Sequence, residues 1–360
     1  MESLPQRLTA PAKGMLALLV AASAGIAWWA SHGSEGFGID SMFYLSQAHT
    51  LEAGGPMQIP DGLGGLTALN HWPPLYPALL ALIHIFGPDG LGAARVLNIA
   101  LFPLNTLLVF GLAYRASCSP AAALISSGIF VLAPSVMEAH AMALSESLCL
   151  CLWLLSLLLL VEFSKSKHRT LLLLAAVIAG LSILTRYAAI AQLGAGAVCI
   201  SWHASDKGKR RYVDAIIYLI VGVLPLVFHG FWQRHEVAQY VADPTHQAVF
   251  TERHLAYYGF SAHAMRSIFI VLQSWLCPAI GLPLVIRGPI MAAMVVALGT
   301  LIGLLCRSRF TSVPFSSCFG VFWLAVLNLV AYSVLLLATA MFYDPDLDLS
   351  ARMQDRKSVV

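Results

Sequence analysis

Charge is scarce in this sequence, and its scarcity excludes most of what a chain of this length could be. Of 360 residues only 11% are Asp, Glu, Lys or Arg, against 59% that are hydrophobic, about half the charged share of a soluble globular protein. No sizeable part of it folds as an ordinary soluble domain, and lipid is its main solvent. The formal net charge is only +3 and the basic residues are scattered, whereas phosphate-backbone binding needs Lys and Arg clustered on one surface; nucleic acid is excluded as a partner. Metal-type cysteine pairing is lacking as well. Cys118, Cys149, Cys151, Cys199, Cys277, Cys306 and Cys318 lie mostly inside apolar runs with no CxxC pair, and they read as small apolar core residues. Tandem repeats and low-complexity linkers are also missing.

Long apolar runs are what the chain has in abundance. A spanning helix needs about 20 predominantly apolar residues, because the hydrocarbon core is about 30 Å thick and a helix rises about 1.5 Å per residue. Such runs fall at 14–31, 92–114, 120–137, 145–163, 170–185, 188–202, 213–231, 288–306 and 319–342. The expected fold class is therefore an all-α polytopic membrane protein of about nine transmembrane helices. The runs 170–185 and 188–202 are short and share the polar interruption Thr185-Arg186-Tyr187, so they form either two spans or one long broken helix.

The basic residues that flank the runs set an orientation. Arg7 and Lys13, Arg115, Lys165 to Arg169, Lys207 to Arg211, and Arg307 with Arg309 all fall on one side, which the positive-inside rule makes cytoplasmic. The expectation is a multi-pass protein of the cell inner membrane with a cytoplasmic N-terminus and an uncleaved signal-anchor as first span. The segments 32–91, 138–144, 232–287 and 343–360 are then outside. Residues 1–342 form one transmembrane domain whose outer loops 32–91 and 232–287 carry the site, and 343–360 is an outer tail. In that tail polar Gln354 to Ser358 stands where another apolar run is expected, which suggests a truncated chain of reduced activity.

Chemistry is expected in the outer loops. Asp40 opens a stretch in which Met42, Leu45, Ala48 and Leu51 recur at helical spacing, the pattern of an interfacial helix. Its carboxylate reads either as an N-cap or as an acid or base held at the membrane surface. In Asn70-His71-Trp72-Pro73-Pro74-Leu75-Tyr76-Pro77 the prolines fix an extended entry to a helix. Trp72 and Tyr76 there suit interfacial anchoring, and His71 suits a plain surface position. Glu146, at the mouth of the fourth span, is favoured by the helix dipole and is also a functional candidate, as an acid at a membrane boundary. Arg186 either snorkels or binds a lipid-borne phosphate. In the loop 232–287, Arg253 and Arg266 are interleaved with Tyr and His residues, which suits a sugar or phosphate cleft or a helix among headgroups. The histidines there show no metal-site spacing.

Ile39-Asp40-Ser41-Met42-Phe43-Tyr44, His71-Trp72-Pro73-Pro74-Leu75-Tyr76-Pro77, Ser145-Glu146-Ser147-Leu148 and Leu184-Thr185-Arg186-Tyr187, in that order, resemble the GT-C superfamily of membrane glycosyltransferases. The branch resembled is that of the protein O-mannosyltransferases and lipid A aminoarabinose transferases. The resemblance implies a GT-C-like helix bundle with interfacial helices in the outer loops, Asp40 as active-site acid and Glu146 as a second site residue. It also implies a polyprenyl-phosphate sugar as donor and a lipid, protein or glycan as acceptor. The family often has two adjacent acids in the first loop, whereas Ser41 follows Asp40 here, which leaves a divalent metal open and no cofactor assigned. Tyr44, His71, Tyr76, Arg186, Arg253 and Arg266 are the substrate-binding candidates, with Asp40 as general base. A transporter or flippase of a lipid-linked or small hydrophilic substrate, or an inactive truncated family member, is the alternative.

Overall fold

The structure, a computed structural model, describes residues 8–32, 36–55, 57, 59–60, 66–67, 72–203 and 210–232. The chain divides into two compact units, and these residues all lie in the first, Met1–Tyr240 with Thr311–Ala331. The expected spans 288–306 and 319–342, the loop 232–287 and the tail 343–360 lie outside the described residues.

Within them the protein is almost wholly helical. Its elements run α1 (Ala10–Ala30), α2 (Ile39–Glu52), β1 (Ile59–Pro60), β2 (Leu66–Thr67), α3 (Leu75–His84), α4 (Gly90–Ser117), α5 (Pro120–Leu132), α6 (Pro134–Ala141), α7 (Glu146–Ser166), α8 (Arg169–Ile183), a 3₁₀ turn (Tyr187–Ala189), α9 (Ile190–His203) and α10 (Arg210–Trp232). The two strands form only a two-residue antiparallel pair. Among the described residues α1, α4, α7 and α10 are long and apolar enough to cross a bilayer, and α3, α5, α8 and α9 are shorter apolar helices. Large apolar side chains point outward at helical intervals, as with Ile125, Ile129 and Leu132 on α5 and Ile216, Ile220 and Phe228 on α10. In water such faces drive aggregation, and in lipid they meet their own kind.

The expected span 120–137 is instead two helices. Pro134 forces Ala133 into an extended conformation (φ −70°, ψ 120°), since a residue before proline is pushed out of the helical region. The break ends α5 and starts α6. At 184–189 the chain does not continue as one broken helix: α8 and α9 are separate helices of opposite direction. Ser156 bonds the Ala175 carbonyl (2.8 Å) and Cys149 meets Ser182 (3.5 Å), so α7 and α8 run antiparallel. Arg169 pairs with Asp214, and Gly180 faces Gly222 and Pro225, so α8 and α10 run parallel. Gly196 against Tyr218 and Leu193 against Gly222 make α9 antiparallel to both.

Small residues let these backbones approach. A Cβ at Gly180 would stand 2.4 Å from the Gly222 carbonyl oxygen. Ala175, Ala176 and Ala179 of α8 are fully buried in a core shared with α7, α9 and α10. A second core joins α2, α3, α4 and α7 around Tyr44, Tyr76, Leu80 and Leu97.

The cations gather as the sequence suggests. Arg115, Lys165, Lys167, Arg169, Arg210 and Arg211 all sit at helix termini on one end of the bundle. Two of them are paired there, Arg115 with Glu162 (2.8 Å) and Arg169 with Asp214 (3.4 Å). The opposite end carries the start of α7 and the turn between α8 and α9, and there the candidate residues meet.

Candidate functional site

Three segments distant in sequence are stitched together at that end. Gly36 forms a parallel bridge with Met142: its N–H donates to the Ala141 carbonyl (2.9 Å) and its carbonyl accepts from Ala143 N–H (3.0 Å). Only glycine fits, because a Cβ there would stand 2.5 Å from Met142 Cγ. The bridge seats the start of α2 beside the start of α7. The HWPPLYP segment joins the group when the Leu75 N–H, at the head of α3, donates to the Leu184 carbonyl (2.8 Å), just before Arg186.

Gly38 is the N-cap of α2, and the Ser41 hydroxyl accepts its N–H (3.0 Å). Asp40 is therefore in the first turn and is not the cap; among the described residues its carboxylate has no hydrogen bond or ion pair. Of the two readings open for it, the N-cap does not hold, since Ser41 already closes the helix start. Asp40 is half-buried, and the positive end of the helix dipole stabilises its charge.

One turn on, Tyr44 is buried, and its hydroxyl shares a 2.9 Å hydrogen bond with that of Ser145. Burial pushes the Tyr44 phenol up to about 12; Ser145 and Arg186 pull it down, and Glu146 and Asp40 add to the rise. Tyr44 thus lies within electrostatic reach of all three charged candidates, Asp40, Glu146 and Arg186. It stays protonated at any physiological pH. Glu146, next to Ser145 and first residue of α7, forms an ion pair with Arg186. Its second oxygen, Oε2, is buried with no hydrogen-bond partner among the described residues.

The α2 face that packs inward differs from the expected stripe. Ser41, Tyr44, Gln47 and Ala48 are buried, whereas Met42 is half exposed. Aliphatic spacing alone passes over a tyrosine whose polar tip finds a partner. Tyr76 is wholly buried, edge-on to Tyr44 with ring centroids 5.1 Å apart. It supports α2 from beneath. Trp72 stacks on Phe43 at 4.0 Å. His71, Arg253 and Arg266 lie outside the described residues.

Sequence reasoning missed a buried polar cluster under the site. Asn98 Nδ2 donates to the Met142 carbonyl (2.8 Å) and its Oδ1 accepts from the Ser147 hydroxyl (2.6 Å). Asn105 Nδ2 donates to the Ser147 carbonyl and to His140 Nε2, both at 3.0 Å. His140 Nδ1 then donates to the Val136 carbonyl (2.7 Å). The available signal was two asparagines seven residues apart in an apolar run, which is one helix face. Arg95, one turn before Asn98, was also missed; it reaches the Trp28 carbonyl at 3.5 Å, and its Nε is buried without a partner among the described residues.

Among the described residues no three His, Cys, Asp or Glu side chains gather as a metal site. Of the two carboxylates here, Glu146 is already neutralised by Arg186. Among the described residues, a divalent cation that takes six or more oxygens is poorly served by that donor set.

Residues 71–232 match the sequence profile of the dolichyl-phosphate-mannose-protein mannosyltransferase family, a stretch that holds Tyr76, Glu146 and Arg186 and excludes Asp40. The match covers less than half of the chain. Two crystal structures of the oligosaccharyltransferase of Archaeoglobus fulgidus align with the chain. The complex with Zn and sulfate aligns at 14% identity over 91% of this chain and 53% of its own, and the apo form at 11% over 96% and 52%; both have a TM-score of 0.41. The chain spans about half the length of these solved structures. No curated protein matches it.

Proposed function

We propose that this protein is a GT-C-type membrane glycosyltransferase that moves a sugar from a polyprenyl-phosphate carrier to an acceptor hydroxyl on a lipid, protein or glycan. The reaction sits at the Glu146 end of the bundle. By the positive-inside rule that end faces away from the cytoplasm of a cell inner membrane. One observation carries the reading: Asp40, a carboxylate with no partner among the described residues, and a carboxylate–guanidinium pair, Glu146 with Arg186, converge around the buried Tyr44 at one end of a lipid-facing bundle.

The chemistry needs little more. Asp40 takes the proton of the acceptor hydroxyl as its oxygen attacks the anomeric carbon, and the bond from that carbon to the phosphate oxygen breaks, the electron pair leaving with the phosphate. A phosphate is stable as an anion, so no second carboxylic acid need protonate it, unlike the leaving group in glycoside hydrolysis. Arg186 supplies positive charge to the leaving group, and guanidinium geometry suits two phosphate oxygens at once. Tyr44, held neutral by burial, stands as a hydroxyl near the charges.

The test is transfer of labelled sugar by purified protein, using a panel of polyprenyl-phosphate hexoses and pentoses and a membrane extract as acceptor. Incorporation into an acceptor that depends on Asp40 is the expected result. Folded protein that transfers none of the panel, or that moves label across proteoliposomes without transfer, would overturn the reading in favour of a transporter.

A further inference from the structure

The two segments that bear the acids are tied to one side chain. Asn98 is 1% exposed and Ser147 is fully buried, so neither can exchange its bond for water. The Asn98 amide cannot be reversed, since that would set its oxygen against the Met142 carbonyl. Its nitrogen holds Met142, and Met142 is bridged to Gly36, four residues before Asp40. Its oxygen holds Ser147, the neighbour of Glu146. Asn105 grips the Ser147 backbone from one further turn pair down α4 and is itself backed by His140. A polar cluster so placed inside an apolar bundle is unlike the paired ions at the basic end, which only fasten helix termini.

We infer that Asn98 is a positioning residue of the transferase site: its carboxamide clamps the α2 entry and the α7 start together and so fixes Asp40 relative to Glu146 and Arg186. This rests on the transferase reading of the site. The clamp acts through the backbone, and Asn98 touches no substrate. A displacement of about 1 Å between reacting groups is enough to cost on the order of 100-fold in rate, so the clamp should act on turnover and spare donor binding.

The test uses Asn98→Leu, which removes the bonds to Met142 and to Ser147 with little change of volume, and Ser147→Ala, which removes only the bond toward α7. Two readouts are taken on the full chain in detergent or nanodiscs. Hydrogen exchange is followed at the amides of Gly36 and Ala143, the bridge that Asn98 supports, with the α8–α10 amides as reference. Steady-state transfer is measured with radiolabelled polyprenyl-phosphate mannose and with the other donors of the panel. In Asn98→Leu, faster exchange at Gly36 and Ala143, unchanged exchange in α8–α10, and kcat lower by roughly 10- to 100-fold with donor KM within about threefold are expected. Ser147→Ala should lower kcat less, and the double variant no more than Asn98→Leu alone. Wild-type exchange at the bridge in Asn98→Leu overturns the clamp, as does faster exchange with unchanged kcat. Should Asn98→Leu not fold, Ser147→Ala decides: lower kcat at unchanged KM supports the clamp, and wild-type kcat overturns it. If the wild type transfers no donor, the transferase reading fails by itself, and the exchange readout still decides whether Asn98 holds the bridge.

Discussion

Glu146, at the first turn of α7, is bound to Arg186, in the turn between α8 and α9, so that the acidic and the basic candidate of this end neutralise one another. Both side chains are about one third exposed, at 36% and 32%, and a pair so open to solvent adds about 0–1 kcal/mol to stability. On the proposed function its importance is chemical. In the proposed reaction, the donor phosphate competes with Glu146 for the guanidinium. Glu146→Gln removes that competitor, and polyprenyl phosphate should bind several-fold tighter while turnover falls. Arg186→Gln should weaken the same binding by roughly tenfold or more, because it removes a charge-assisted hydrogen bond to the phosphate. Equilibrium binding of labelled polyprenyl phosphate measures both, and weaker binding to Glu146→Gln would contradict the exchange.

Asp40 offers a clean separation of chemistry from folding, because Ser41 and Gly38 already close the α2 start without it. Asp40→Asn should leave expression and thermal stability near wild type and lower transfer by roughly 10²–10⁴-fold, the range for a positioned base. Asp40→Ala should do the same, with at most about 0.3–1 kcal/mol lost from the helix dipole. Activity assays at matched protein levels decide; near-normal transfer by Asp40→Asn removes Asp40 from the base role.

The Tyr44 phenol gives the protein an alkaline limit. Its folded value, pushed up to about 12 by burial, is above the roughly 10 of an exposed tyrosine. A raised value means stability that is complete below about pH 10 and lost as pH climbs toward 12, on the order of 2 kcal/mol in all. Tyr44→Phe should flatten that part of the pH–stability curve. At neutral pH the same change orphans the buried Ser145 hydroxyl, at a cost of about 1–3 kcal/mol. Thermal unfolding at pH 7 and pH 11, wild type against variant, reads both effects.

Glycine packing is testable by contrast. Gly180→Ala sets a methyl 2.4 Å from the Gly222 carbonyl, a backbone atom that cannot rotate away, and should destabilise by about 1–3 kcal/mol. Gly128→Ala on α5 meets nothing within 4 Å and should stabilise by about 0.5–1 kcal/mol, from helix propensity alone. Melting temperatures in detergent should move in opposite directions.

The helical framework was legible because apolar runs of spanning length are a coarse signal. The runs at 14–31, 92–114, 145–163 and 213–231 coincide, to within four residues at their ends, with α1, α4, α7 and α10. The break at Pro134 was written in the sequence but outweighed by the apolar residues around it. Asp40, Tyr44, Glu146 and Arg186 were found as separate motifs and do converge. That Glu146 binds Arg186 was not legible, since forty residues separate them and only the fold says which helix ends meet. Asn98 and Asn105 stayed hidden because hydropathy averages over a window and two amides scarcely lower it.

The turn at 184–189 decides more than local shape. A chain that runs to and fro through a bundle changes end with every helix, so what matters for each later residue is the parity of the helices before it. Had Thr185-Arg186-Tyr187 merely kinked a single helix, α8 and α9 together would count as one. Because the chain doubles back there, the 15 residues of α8 and the 14 of α9 cancel each other, and α10 sets out from the same end of the bundle as α8. That return lets Arg210 and Arg211 join Lys165, Lys167 and Arg169, and it leaves Arg186, at the apex of the reversal, as a cation at the opposite end of the bundle, beside the acid it binds.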